Sequence, residues 1–208
     1  MLLKLLIHFT LFECLIFSLI PVPILIYENA KANIKDKSWA LRVERQAKRN
    51  KKIIVLKNEE KGNLFVYEII LAAGYNIGTP NSVDCDKEEY KEICAQGNER
   101  RPPSCKDWFD EKVPGFSLVG MNDEGRKICK TGDIITNGKH IGVVSNTKNG
   151  YSINTGEDEV IENDFGFKKD ELFENFKIFR YNETENRKTS SGKFLTASIA
   201  FLFLIMII

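Results

Sequence analysis

His140 is the one histidine of this chain outside its apolar N-terminal stretch, and it heads an apolar run, Ile141-Gly142-Val143-Val144. An imidazole titrates near neutrality, so it is the side chain best suited to take a proton from a nucleophile. A base of that kind needs a polar group to orient its ring. Asn154, in Ser152-Ile153-Asn154-Thr155, falls on the neighbouring strand of the pattern and fits that place. A thiol nucleophile belongs at the start of a helix, where the dipole favours thiolate. The segment Lys61-Gly62-Asn63-Leu64-Phe65-Val66-Tyr67 reads as such a start, and Gly62 has no side chain. These residues supply a base, a polar partner for it and a helix start.

The cysteines offer other chemistry. Cys14 lies in the apolar N-terminal stretch, leaving Cys85, Cys94, Cys105 and Cys129. An even number in an exported domain implies two disulfides, with three connectivities open. A zinc site is disfavoured because the close C-x2-C pairs of such sites are missing. No metal and no cofactor is expected. The cysteines lie in a different segment from Gly62, so none is expected to replace its side chain.

Export is read from the ends. Residues 1–27 hold Lys4, then an apolar run broken at Pro21 and Pro23, and Ala30-Lys31-Ala32 matches a small-residue cleavage pattern. This predicts a signal peptide over 1–32, with an uncleaved signal anchor as the alternative. At the other end Ser190-Ser191-Gly192 precede Lys193 and an apolar stretch, Phe194 to Ile208. A spanning helix needs about 20 apolar residues. The shorter stretch fits a lipid-attachment signal with Ser190, Ser191 and Gly192 as the GPI site, and a short membrane anchor is the alternative. Either way the domain is expected on the outer face of the plasma membrane. Asn182-Glu183-Thr184 is a glycosylation sequon in a polar stalk over 182–192. Thirty Lys and Arg against 29 Asp and Glu give a formal net charge of +1, which supplies no electrostatic case for nucleic acid.

The expected domain, 33–181, divides in texture. A helix is predicted from a polar cap at Asp36 or Ser38 to about Lys48, followed by an apolar extended run, Ile53 to Leu56. A central helix, apolar nearly all round apart from Glu68, is predicted from Gly62 to Ala73, ending at Gly74. Residues 76–112 read as an insertion stapled by cysteines, with a short helix over Lys87 to Cys94. From Gly132 the pattern turns to strands: Asp133 to Thr136, His140 to Ser145, a hairpin at Asn149-Gly150, Tyr151 to Asn154, Glu159 to Glu162, and a last strand ending at Tyr181. Asp164 is an alternative cap for a helix over Phe167 to Leu172. Helices first and an antiparallel sheet second make an α+β domain.

The motifs together resemble a known superfamily. Lys61-Gly62-Asn63-Leu64-Phe65-Val66 is similar to the K-C-N-x-F-V helix start of NlpC-type cysteine amidases, with glycine for cysteine. Gly132-Asp133-Ile134-Ile135 and Gly138-Lys139-His140-Ile141-Gly142-Val143-Val144 resemble the G-D-[IV]-[IV] and G-x-H-[VI]-G-[IV]-V blocks of NlpC-type peptidoglycan peptidases. Asn163-Asp164-Phe165-Gly166-Phe167 is similar to the N-D-W-G-F segment of the branch holding the type VI secretion amidase effectors and the domesticated amidase effectors of animals. Arg101-Pro102-Pro103 and Asp107-Trp108 resemble that branch more loosely. The resemblance spans roughly residues 38–181. It implies a papain-like NlpC-type fold, with N-terminal helices packed on a C-terminal antiparallel sheet. It also implies His140 as general base, Asn154 as its orienting residue and Gly62 at the nucleophile position.

Three functions follow as expectations. The first is a catalytically silent surface homologue that binds cell-wall peptides in the old groove. The second is an active peptidoglycan amidase, if the glycine is not native. The third is an extracellular interaction module.

Overall fold

The computed structural model describes residues 21–48, 53–55, 57, 60–75, 77, 81–82, 88, 91, 95, 100–164 and 175–182. Its centre is a six-stranded antiparallel sheet. The sheet is built by β5 (Phe116–Met121), β6 (Ile134–Thr136), β7 (Ile141–Asn146), β8 (Tyr151–Thr155), β9 (Val160–Asp164) and β10 (Lys177–Tyr181), in the spatial order β5-β10-β6-β7-β8-β9. Two smaller antiparallel pairs lie outside it: β1 (Arg45–Gln46) with β2 (Ile54–Val55), and β3 (Asn81–Ser82) with β4 (Arg100–Arg101). Four α-helices, α1 (Val22–Lys31), α2 (Gly62–Ala72), α3 (Cys105–Phe109) and α4 (Asn122–Ile128), and a 3-10 turn over Lys37–Trp39 are the other elements with described bounds. The α+β class is as expected.

Side chains alternate between the two faces of a strand, and here the alternation sorts two clusters. Ile134, Val143, Ile153 and Phe179 join Leu64, Phe65 and Ile69 of α2 in the main core. Their sequence neighbours Ile135, Val144 and Ile178 point to the other face and pack with Cys129 and Phe176. The helix α2 is central, as its all-round apolar sequence predicts: Leu64 through Ile70 are all buried. It ends ahead of Gly74, whose φ of +94° suits a glycine.

The structure bears on three further expectations and differs from the first of them. The helix from Asp36 to Lys48 is instead a single 3-10 turn, Lys37–Trp39, followed by turns and β1. Asp36 does cap that turn, accepting from Ser38 N at 2.9 Å. The chain then bends back because Arg45 lies over the Trp39 ring, 3.5 Å from its centroid, and meets Glu68 of α2 at 3.4 Å. Both ionic groups are buried, and that tertiary pairing overrides the local helical pattern. Glu68, the odd acid on an apolar helix, is thereby explained.

Secondly, residues 22–31 form α1, with Val22, Ile26 and Ala30 facing the core. α1 packs on α2 and β7. Its start sits so close to Gly132 that a Cβ there would lie 1.8 Å from the Pro23 carbonyl oxygen. Lys35 N donates to Val160 O at 2.8 Å, tying the end of this segment to β9. The cleavage site expected near Ala32 therefore falls just beyond a core helix, and a cut there would strip that helix from the domain.

Thirdly, of the four cysteines expected to form two disulfides, Cys105 and Cys129 are described, and both carry free thiols. Cys105 belongs to the main core and Cys129 to the cluster on the opposite face, so the sheet separates them. Cys85 and Cys94 lie outside the described residues, as do the helix expected over 167–172, the aromatics Phe165 and Phe167, and the segments 1–20 and 183–208 with the Ser190-Ser191-Gly192 site; of the helix expected over 87–94 only Glu88 and Lys91 are described, and both are helical. Among the described residues no helix is long and apolar enough to cross a membrane. Asn182 of the sequon is described, and its backbone N–H donates to Gly115 O at 2.8 Å.

Candidate functional site

A cavity of about 520 Å³ opens where the first turn of α2 meets the start of β7 and the end of β8. Gly62, His140 and Asn154 all border it. Residues far apart in sequence thus converge on one space, within the size range of small-ligand sites.

Gly62 is not a glycine that the backbone requires. It is not among the glycines of positive φ, and it stands at the first position of α2. A Cβ built there would lie 3.2 Å from Ile141 Cγ2, 3.5 Å from Ile141 O and 3.6 Å from Thr155 Oγ1. A side chain fits if Ile141 gives by a few tenths of an ångström. It would point at the residues that directly follow His140 and Asn154. α2 also has no side-chain cap and no acid in its first turn.

His140 is set by the turn before it. The Asn137 side-chain oxygen accepts from His140 N at 2.7 Å and from Lys139 N at 2.9 Å. The Thr136 hydroxyl donates to His140 O at 2.7 Å. These bonds hold the residue at the mouth of β7 whatever its ring does. The ring itself has an acid beside it: Glu60 Oε2 lies 3.4 Å from His140 Nδ1. A carboxylate beside Nδ1 can orient the ring, the part that a polar partner of a base plays.

Asn154 borders the same cavity, but its amide nitrogen donates to Asn163 Oδ1 at 2.7 Å. Ile153 is in the main core facing α2, so the strand alternation turns Asn154 to the face of Ser152 and Asn163. The structure brings Gly62, His140 and Asn154 together around one space, and it places Glu60 at the ring nitrogen where Asn154 was expected.

The sequence reading missed a thiol in this cavity. Cys105, at the start of α3, lines it together with Asn63 and Lys61. Its sulfur donates to Asn63 Oδ1 at 2.9 Å. So a cysteine expected to lie apart from Gly62, and both chain neighbours of Gly62, lie at the site. Lys61 is buried, and its ammonium donates to Leu41 O at 2.8 Å. The register of α3 is fixed by a reciprocal cap: Ser104 Oγ accepts from Asp107 N at 3.0 Å, and Asp107 Oδ2 accepts from Ser104 N at 2.7 Å. Arg101 Nη1 holds the same carboxylate at 2.8 Å. Burial alone would raise the Asp107 carboxyl, but the bonds from Ser104 and Arg101 outweigh it and hold it below the usual carboxylate range. The Ser-x-x-Asp spacing of 104–107 was the available sequence signal for this cap.

The Cys105 thiol is not activated. Burial, and then the Glu60 carboxylate, push it up to about 12. It stays protonated near neutrality, the opposite of what a nucleophilic cysteine needs. Cys129 is also raised, by burial and then by Asp133. Among the described residues no group of three or more His, Cys, Asp or Glu is gathered for a metal ion.

Comparison with protein-family models, with curated proteins and with solved structures returns no match. The functional reading therefore rests on the chain itself.

Proposed function

We propose that this chain is a silent member of the NlpC-type, papain-like cysteine amidases, one that binds peptidoglycan peptides or related peptides without hydrolysing them. In this reading the domain is held at the outer face of the plasma membrane by its C-terminal segment. The observation that carries it is the convergence of the α2 start, His140 and Asn154 on one cavity, with room at Gly62 for a side chain that is missing. The lining carries both signs, Lys61 and Lys139 against Glu60 and Glu157, which suits a zwitterionic peptide better than a polyanion. Loss of a nucleophile costs on the order of a millionfold in rate. What remains is a cleft with donors and acceptors in place.

The test is calorimetric titration of the protein with purified muropeptides. Saturable binding that weakens in His140→Ala supports the reading. No heat with any stem peptide overturns it in favour of an interaction module.

A second reading is favoured by one observation, the Cys105 thiol in the cavity. Hydrolysis would then depend on Cys105 and vanish in Cys105→Ala. Its raised pKa ranks this reading behind the first.

A further inference from the structure

At the far end of α1 from the cavity lies a second concavity, a groove of about 850 Å³ between the α1 start, β5 and the loop after α4. The ten residues of α1 span about 15 Å, from Val22 next to the groove to Lys31, and just beyond it Lys35 N donates to Val160 O at 2.8 Å, at the start of β9 beside the cavity. The strand β6 runs the same way, from Ile134 near Thr131 of the groove to Thr136 at the His140 turn. Groove and cavity therefore open at opposite ends of the domain.

Three large apolar side chains line this groove in exposed positions: Ile24 at 46%, Leu118 at 40% and Ile128 at 53%. Exposed apolar groups gathered at one place call for a partner. Among the described residues lining it, none is acidic and the charges are Lys130 and Arg180. The adjoining α4 carries the exposed acids Asp123 and Glu124 in its first turn and the exposed Arg126 and Lys127 in its last, the turn that leads into Ile128 of the groove. The groove also holds both points where the chain enters and leaves the described domain, Pro21 and Asn182. The apolar residues 1–20 join at the first, and the stretch ending in the apolar residues 194–208 joins at the second.

We infer that this groove is the face of the domain that rests on a lipid bilayer with anionic headgroups. Its apolar side chains enter the boundary between headgroups and acyl chains, as those of interfacial helices do. Lys127, Lys130 and Arg126 meet the anionic headgroups. The cavity at the other end of the domain then points away from the membrane, toward soluble or wall-borne peptides. The inference rests on the membrane attachment in the proposed function and adds the orientation.

The experiment uses the full-length chain with vesicles of phosphatidylcholine and phosphatidylserine whose acyl chains carry bromine. Ile128→Trp and Leu118→Trp place fluorophores in the groove. Val43→Trp places one at the cavity end, where Val43 is 39% exposed. The native Trp39 and Trp108 are each 1% exposed and supply a constant background. The expected result is a blue shift and bromine quenching at 118 and 128, with neither at 43. Charge reversal by Lys127→Glu with Lys130→Glu lowers the quenching at 128. Sedimentation with vesicles but no quenching at 118 and 128 overturns the orientation and leaves membrane attachment standing. Failure to sediment overturns both. A blue shift without vesicles, with a doubled mass in solution, makes the groove an interface between two copies and also overturns the inference.

Discussion

The Cys105 sulfur donates to Asn63 Oδ1 at 2.9 Å, so a thiol stands beside the residue that follows Gly62. A cysteine is therefore present in the cavity while the helix position that would activate one is empty. Burial and the Glu60 carboxylate hold the Cys105 thiol protonated up to about pH 12. A folded-state value above the ordinary thiol value means that the stabilisation from this protonated, buried group is full below about pH 9 and is lost as pH rises toward 12.

Cys105 should therefore alkylate slowly in the native protein near neutral pH, and faster as pH rises. Mass spectrometry after iodoacetamide treatment across a pH series checks this. The same measurement on unfolded, unreduced protein should find both Cys105 and Cys129 labelled. Either of them found in a disulfide would contradict the structure.

Asp107 controls where that thiol sits. Its carboxyl is held below the usual range, so its contribution is present above about pH 4 and is lost as pH falls through the folded-state value. Asp107→Asn should cost about 1 kcal/mol of stability at neutral pH, the worth of a helix cap. It should also flatten the fall in melting temperature on acidification from neutral pH. A wild-type acid profile in the variant would mean that the cap contributes nothing.

The N-terminal boundary can be tested by truncation. Removing residues 1–32 exposes the surfaces that bury Val22 and Ile26, worth roughly 3–6 kcal/mol together. That truncation should melt far lower or fail to fold, and N-terminal sequencing of secreted protein should find no start at Asn33.

The strands of the sheet were legible because each carries its own period-two pattern and a turn before it, as at Asn137-Gly138 ahead of His140. α2 was legible for the same kind of local reason. β5 was not: Phe116-Ser117-Leu118-Val119-Gly120-Met121 is an edge strand with Leu118 and Met121 exposed, so burial leaves little pattern in it. α1 was hidden because its apolar residues run on from the apolar residues 1–20, and a buried helix and an export signal look alike in composition. At the site, Gly62, His140 and Asn154 could be read because a motif surrounds each. Cys105 and Glu60 could not, because their place depends on how α3 and the α2 approach fold against the sheet. The groove beside Pro21 and Asn182 has no local pattern and exists only in three dimensions.

The thiol environment at position 62 gives a further test. In a Cys105→Ser background, Gly62→Cys places a thiol at the uncapped start of α2 near His140. Helix dipole and imidazolium should both favour its thiolate. Alkylation near pH 7 should be rapid, and should slow about tenfold or more in His140→Ala, one pKa unit or more of lost thiolate stabilisation. A slow reaction indifferent to His140 would mean that the two residues do not address each other.

The central claim is that the site binds without cutting because position 62 lacks its nucleophile. The direct measurement is the release of cleaved stem peptides from purified peptidoglycan, followed by mass spectrometry, for the native chain beside Gly62→Cys. The account expects no product from the native chain above the buffer control, and measurable product from Gly62→Cys that disappears in His140→Ala. Turnover by the native glycine protein would contradict it.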